Sequence, residues 1–158
     1  MFRKMRRSKQ ELSQEECQTI LKEEKRGVLS VHGDDGYPYG VPMNFFYEPE
    51  DGMLYFHGAK EGHKIDAIKS DDKVCFTTWI QRRQDADGWS WYVDSVIAMG
   101  RAKLVSDAQE TIDIARKCGL KYYPSAEDVE KEIQRDGSRL QIIALSIEHL
   151  TGKRVHEK

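Results

Sequence analysis

The chain lacks the features that would assign it to several common classes. Its three cysteines, Cys17, Cys75 and Cys118, are odd in number, far apart and without CxxC spacing. That pattern suggests neither a disulfide framework nor a zinc site, and the cysteines read as free thiols that pack as small hydrophobes. The five histidines form no HxxxH or HExxH pattern, so no metal centre is expected. No apolar run of signal-peptide or membrane-spanning length occurs, so no membrane partner is expected and a cytoplasmic location is. Charge of one sign is also missing: 25 basic residues face 27 acidic ones, which argues against nucleic acid as a partner and leaves local anion sites open. Neither the P-loop GxxxxGK[ST] nor the dinucleotide GxGxxG is present, and no Ser-His-Asp or Cys-His order is supported.

What is present is a chain of 158 residues, enough to bury about two-thirds of its unfolded surface around one core. Residues 1–10 are charged and aperiodic and read as a flexible basic arm, leaving 11–158 as a single domain. Ser13 and Glu16 make a capping box for a helix with Cys17, Ile20 and Leu21 on one stripe and Gly27 as a stop. The periodicity then changes to that of strands. GVLSVHG, YPYGVPMNFFYE and MLYFHG read as an antiparallel meander separated by the turns DDG and PEDG. EGHKIDAIK is a short helix, VCFTTWIQ a strand, RRQDADG a loop, and WSWYVDSVIAMGRAKLVS one long strand or two bent at Gly100. Helices over 107–118 and 126–135 precede a closing strand, LQIIALSIEHL. Without a regular strand-helix repeat, this order predicts a mainly β fold with flanking helices: a small antiparallel barrel.

Chemistry concentrates in FHGAKEGHKIDAI. A strand ends, a loop containing Gly58 and Gly62 follows, and a helix opens with His63 and Lys64. Glycines let backbone approach a ligand, a helix start offers free N–H groups, and the cations add charge, as a phosphate pocket needs. The spacing equally suits a polar turn capping a surface helix. Pro38 and Pro42 lack amide donors, so YPYGVPMNFFYE reads as an edge strand or a bulge. Trp89, Trp91 and Tyr92 suit either a flat aromatic ligand or a barrel core. Phosphate, aromatic walls and no evident nucleophile together favour a cofactor that carries the chemistry itself.

Taken in order, GYPYGVPMNFFY, LYFHGAKEGHKIDAI, VCFTTW and YVDSVIAMGRAKLV resemble the nitroimidazole-reductase (Nim) family within the pyridoxamine-phosphate-oxidase-like superfamily, as does the terminal SIEHLTGK. The similarity runs from about Met5 to Lys153. It implies a six-stranded antiparallel split β-barrel, the FMN-binding split barrel, acting as a homodimer with FMN at the interface. Activity would be that of an FMN-dependent oxidoreductase passing electrons from a nicotinamide or other donor to a small organic acceptor, nitroaromatics included, with nitroimidazole resistance as the associated trait. The resemblance also implies Pro42, Met43 and Asn44 beside the flavin ring and His57 near its reactive face as the catalytic residue. Gly58, Ala59, Lys60, His63 and Lys64 would wrap the phosphate, Ser95 would face it, and Lys153 would reach the partner's flavin. One departure stands out: the family often has arginine before that serine, where this chain has Asp94. Within the same superfamily, a flavin-binding or sensing protein with little turnover and a heme- or deazaflavin-binding relative are the alternatives.

Overall fold

Ser13 and Glu16 cap each other as their spacing requires: Glu16 N–H donates to Ser13 Oγ at 3.2 Å, and Ser13 N–H to Glu16 Oε2 at 2.8 Å. The helix they open, α1 (Gln14–Glu23), buries Cys17, Ile20 and Leu21, the stripe that helical spacing puts on one face. It ends at Glu24, ahead of Gly27, which already belongs to the first strand. The structure, a computed structural model, describes residues 1–157.

Seven strands follow in one antiparallel sheet: β1 (Arg26–His32), β2 (Pro38–Asn44), β3 (Phe46–Glu48), β4 (Met53–Ala59), β5 (Lys73–Gln84), β6 (Trp91–Leu104) and β7 (Leu140–Glu157). Their order is β2-β1-β5-β6-β7-β4-β3. Helix α2 (His63–Ser70) follows β4, and α3 (Ala108–Tyr122) and α4 (Ala126–Asp136) separate β6 from β7.

The expected count of six strands becomes seven because YPYGVPMNFFYE breaks at Phe45. Its first part pairs with β1 and its second with β4, at opposite edges of the sheet. The expected meander is therefore two hairpins at the two edges. Only one residue joins those edges, so the sheet must curl until they meet, which makes the split barrel. Phe45 belongs to neither ladder, and α3 supplies the missing bonds. Its N–H donates to Tyr122 Oη at 2.9 Å, and its carbonyl accepts from Lys121 Nζ at 3.3 Å and from the Tyr122 hydroxyl, which it shares with the Lys25 carbonyl.

Other boundaries shift for identifiable reasons. RRQ of the expected loop continues β5, with a bulge between Gln81 and Arg83, because β6 offers partners as far as Trp91. The remaining turn is tied by Asp87, whose Oδ1 accepts from Trp89 N–H at 3.0 Å and Ser90 N–H at 2.9 Å. β6 is unbroken; at Gly100 its register with β7 slips, and a Cβ there would lie 1.9 Å from the Ser146 carbonyl oxygen. β7 runs on through TGKR instead of ending near Leu150. Helix α3 passes Gly119, whose bare Cα lets Val129 of α4 cross close by. In the arm, Phe2 stacks on His149 with ring centroids 4.5 Å apart, and just beyond it Leu12 N–H donates to the Gly152 carbonyl at 2.9 Å.

The sheet separates two environments. Inside the barrel, Phe45, Phe56 and Phe76 pack with Leu29, Leu54, Val96 and Leu145, and α2 closes the end with Ile65 and Ile68. On the outer side, α3 covers Tyr55 of β4 and Ile142 and Ala144 of β7. Among the described residues no helix covers the outer side of β2, β1, β5, β6 and the second half of β7, where Phe2 of the arm lies beside His149 and Met99. Cys17 and Cys118 are buried, Cys75 is half-buried, and all three are free thiols.

Candidate active site at the barrel seam

The site is built by the break at Phe45. In the β3–β4 ladder Phe46 lies opposite Tyr55 and Tyr47 opposite Leu54. Carried back two residues, that register would set Asn44 opposite His57, Met43 opposite Gly58 and Pro42 opposite Ala59. Instead β2 pairs only with β1, and this end of β4 only with β7. The two edges part into a seam whose facing backbone groups have no ladder partner, a natural berth for a flat polar ligand.

Asn44 and His57 both line a cavity of about 420 Å³ between this seam and the helices, with Arg26, Tyr122, Tyr123 and Glu132 also in its wall. His57 faces outward because it alternates with Phe56, which is wholly inside. His57 stays exposed to solvent, but partial desolvation by the cavity wall lowers its pKa from the ordinary imidazole value; Glu132 opposes this and Lys64 adds to it. The ring is therefore neutral near pH 7, able to donate from one nitrogen and accept at the other.

Below the seam, the loop from Gly58 leads into α2. Gly62 has φ +124°, a conformation glycine adopts freely, and no side chain caps the helix it precedes. The three basic side chains here differ in what they hold. Lys60 Nζ donates to the Ser138 carbonyl at 2.7 Å. The His63 ring stacks on Tyr39 at 4.1 Å, and its buried Nε2 has no hydrogen-bond partner, Asp34 Oδ2 lying 3.5 Å away and out of line. Lys64 lies over the bare Cα of Gly58, where a Cβ would sit 3.3 Å from its Nζ. Among the described residues it has no acceptor of its own.

Ser95 and Lys153 stand elsewhere. Successive registers place Asn44 beside Arg26, Trp79 beside Ser95, and Ser95 beside Lys153. Since Val28 pairs with Thr77, Arg26 falls level with Trp79, and the five residues form one row across the uncovered outer face. Four strand intervals separate Asn44 from Lys153, about 19 Å. Thus the structure gathers Pro42, Met43, Asn44, His57, Gly58, Ala59 and Lys64 at the seam, with Lys60 and His63 on the adjoining loop, while Ser95 and Lys153 lie across the sheet. Asp94 points the other way from Ser95 and is fully buried, so it does not border that serine's surroundings. Trp89 is exposed in the β5–β6 turn, and Tyr92 stacks on His156 at 4.1 Å; neither lines the seam.

Sequence reasoning missed Arg26 and the α3–α4 wall. A lone arginine at a strand start carries no spacing signal, and Tyr122 and Tyr123 reach the cavity only through the packing of α3.

The sequence model of the pyridoxamine 5′-phosphate oxidase family matches residues 13–154. A Bacteroides thetaiotaomicron protein named for 5-nitroimidazole antibiotic resistance superposes with a TM-score of 0.76 at 21% identity, over 93% of this chain and 87% of that one. The flavocytochrome Anf3 of Azotobacter vinelandii gives 0.75 at 22%, over 95% and 71%. An FAD-binding protein of Mycobacterium smegmatis gives 0.65 at 20%, over 94% and 99%. No curated protein matches the chain. At these identities the structural likeness establishes the split-barrel fold, and the match across residues 13–154 establishes the lineage: the chain belongs to the pyridoxamine 5′-phosphate oxidase family.

Proposed function

We propose that the chain is an FMN-dependent oxidoreductase, working as a homodimer, that passes electrons from a nicotinamide donor to small organic acceptors of the nitroaromatic kind. The observation that carries this reading is the seam, where neutral His57 and Asn44 face a cavity and Lys64 waits nearby without an acceptor. Bound there, FMN would supply the redox chemistry, taking a hydride from the donor and giving two electrons to the acceptor. Lys64 and the uncapped start of α2 suit its phosphate. The unpaired edges of β2 and β4 suit the polar rim of the ring. A nitro group that takes two electrons and two protons leaves as a nitroso group and water; His57 can bond to its oxygen from one ring nitrogen and to water from the other. Tyr122, Tyr123 and the apolar face of α4 narrow the access of water.

The dimer rests on the open outer face, where Trp79 is 55% exposed, Met99 37% and Ile97 36%. An apolar surface of this kind fits a second copy, and Ser95 and Lys153 on it would then serve the partner's cofactor. The test is the purified protein itself. A yellow extract with one FMN per chain, reduced by a nicotinamide donor without oxygen and reoxidised by nitroaromatic acceptors, is expected. A protein that binds no FMN in titration, or one with a Soret band, would overturn the reading.

A further inference from the structure

Arg26 is a cation that the proposed chemistry leaves unused. It opens β1 beside Asn44, exposed, and is among the residues that line the cavity holding His57. Beyond the arm, the other arginines have partners. Arg82, Arg101, Arg116, Arg135, Arg139 and Arg154 pair with carboxylates. Arg83 lies over the Tyr92 ring at 4.0 Å. Among the described residues beyond the arm, Arg26 alone has neither.

The carboxylates on the far wall do not neutralise it. Glu132 is 2.6 Å from Arg135, and Asp136 lies 2.7 Å from Arg135 and 3.6 Å from Arg139, so both are compensated where they stand. The uncompensated charge at the cavity is positive and sits at the Arg26 end. A guanidinium stays charged at every relevant pH and presents a planar fork of donors that matches a carboxylate.

Resting on the flavin reading above, we propose that Arg26 is a specificity residue that selects acceptors carrying a carboxylate, so that the preferred substrates are small planar organic acids. Arg26 holds the acid group, while the reducible group is left to His57 and the seam.

The test compares 4-nitrobenzoate with its neutral isostere 4-nitrobenzamide, by calorimetric binding to the oxidised holoprotein and by the rate at which each reoxidises the reduced protein. The wild type is expected to bind the acid ten- to a hundredfold more tightly than the amide, the range of one charge-assisted hydrogen bond. Arg26→Gln should abolish that preference, leave the amide unchanged and keep its FMN. Arg26→Lys should keep part of it, having the charge without the fork. A wild type that treats the two alike, or an Arg26→Gln variant that loses FMN or weakens both ligands equally, overturns the assignment. Should the protein bind no FMN, calorimetry on the protein as purified still decides. A preference for the acid that Arg26→Gln removes would retain Arg26 and reject the flavin reading, and no preference would reject both.

Discussion

Asp94 and Arg154 face each other across β6 and β7 through two hydrogen bonds of 2.8 Å, from Nε to Oδ1 and from Nη2 to Oδ2. Arg82 adds a third to the same carboxylate at 3.0 Å. Burial alone would raise the Asp94 pKa, but the two guanidiniums outweigh it and hold the carboxyl below its usual value. Asp94→Asn removes the buried carboxylate that both guanidiniums share, while Arg82 keeps Glu23 and Arg154 keeps Glu16, so a loss of about 1 to 3 kcal/mol is expected, read as a fall in Tm of roughly 2 to 12 °C. With a depressed folded pKa, this contribution is complete above about pH 3.9 and is lost as pH falls through the folded value. The gap between wild type and variant should therefore close in acid. Equal Tm values at pH 7 would refute the clamp.

The bond between Tyr122 and Phe45 holds the seam open at one end. Tyr122→Phe removes the only hydroxyl that meets the Phe45 amide. Leaving that part-buried group unpaired should cost about 1 to 3 kcal/mol in denaturant unfolding. FMN affinity should fall as well, since Asn44 is the next residue. A variant with unchanged stability would mean that water replaces the hydroxyl without loss.

Much of this architecture was legible because its causes are local. Ser13 and Glu16 cap a helix through atoms three residues apart, and the GHK run opens α2 wherever the strand before it ends. The seam was not legible in the same way. Whether Phe45 continues a strand or ends one depends on β1 and β4 competing for the flanking residues, and on α3 arriving with Tyr122 from 77 positions away. The role of Asp94 was hidden for a related reason. Its neighbour Ser95 lies on one face of β6, whereas the aspartate answers two arginines on the other face.

The open face gives a test of assembly. Ile97 lies at its centre, paired with Thr77 on β5 and Thr151 on β7, and its side chain faces away from the core. Ile97→Glu is expected to convert a dimer to a monomer in light scattering with the circular dichroism spectrum unchanged, because the substitution reaches no core contact. Bound FMN should drop in parallel. A wild type that is monomeric and still holds FMN would remove the dimer from the proposal.

His57 supplies a pH signature. Its folded pKa is lowered, so between that value and the ordinary imidazole value, about 6.5, the unfolded chain binds more protons than the folded one. Wild-type stability should thus decline as pH falls below about 6.5, and His57→Gln should decline less over the same interval. Melting curves at pH 7.5 and 5.5 give the comparison. Parallel losses in both proteins would show that the histidine is not sheltered as described.

Lys64 offers the sharpest test of the cofactor. Lys60 already donates to Ser138 and the His63 ring is held against Tyr39, which leaves Lys64 as the loop cation free to take a phosphate. A charge-assisted hydrogen bond contributes about 1.5 to 3 kcal/mol, so Lys64→Ala should weaken FMN binding by roughly ten- to a hundredfold. Riboflavin has the ring without the phosphate, and its affinity should hardly change. Damage to the seam in general would weaken both ligands alike, so the ratio of the two affinities isolates the phosphate contact. Salt should act in the same sense, lowering FMN affinity more than riboflavin affinity where ions reach the loop. If fluorescence titration finds FMN bound equally by wild type and variant, the phosphate is held elsewhere, and Lys60 would have to exchange its carbonyl partner for it.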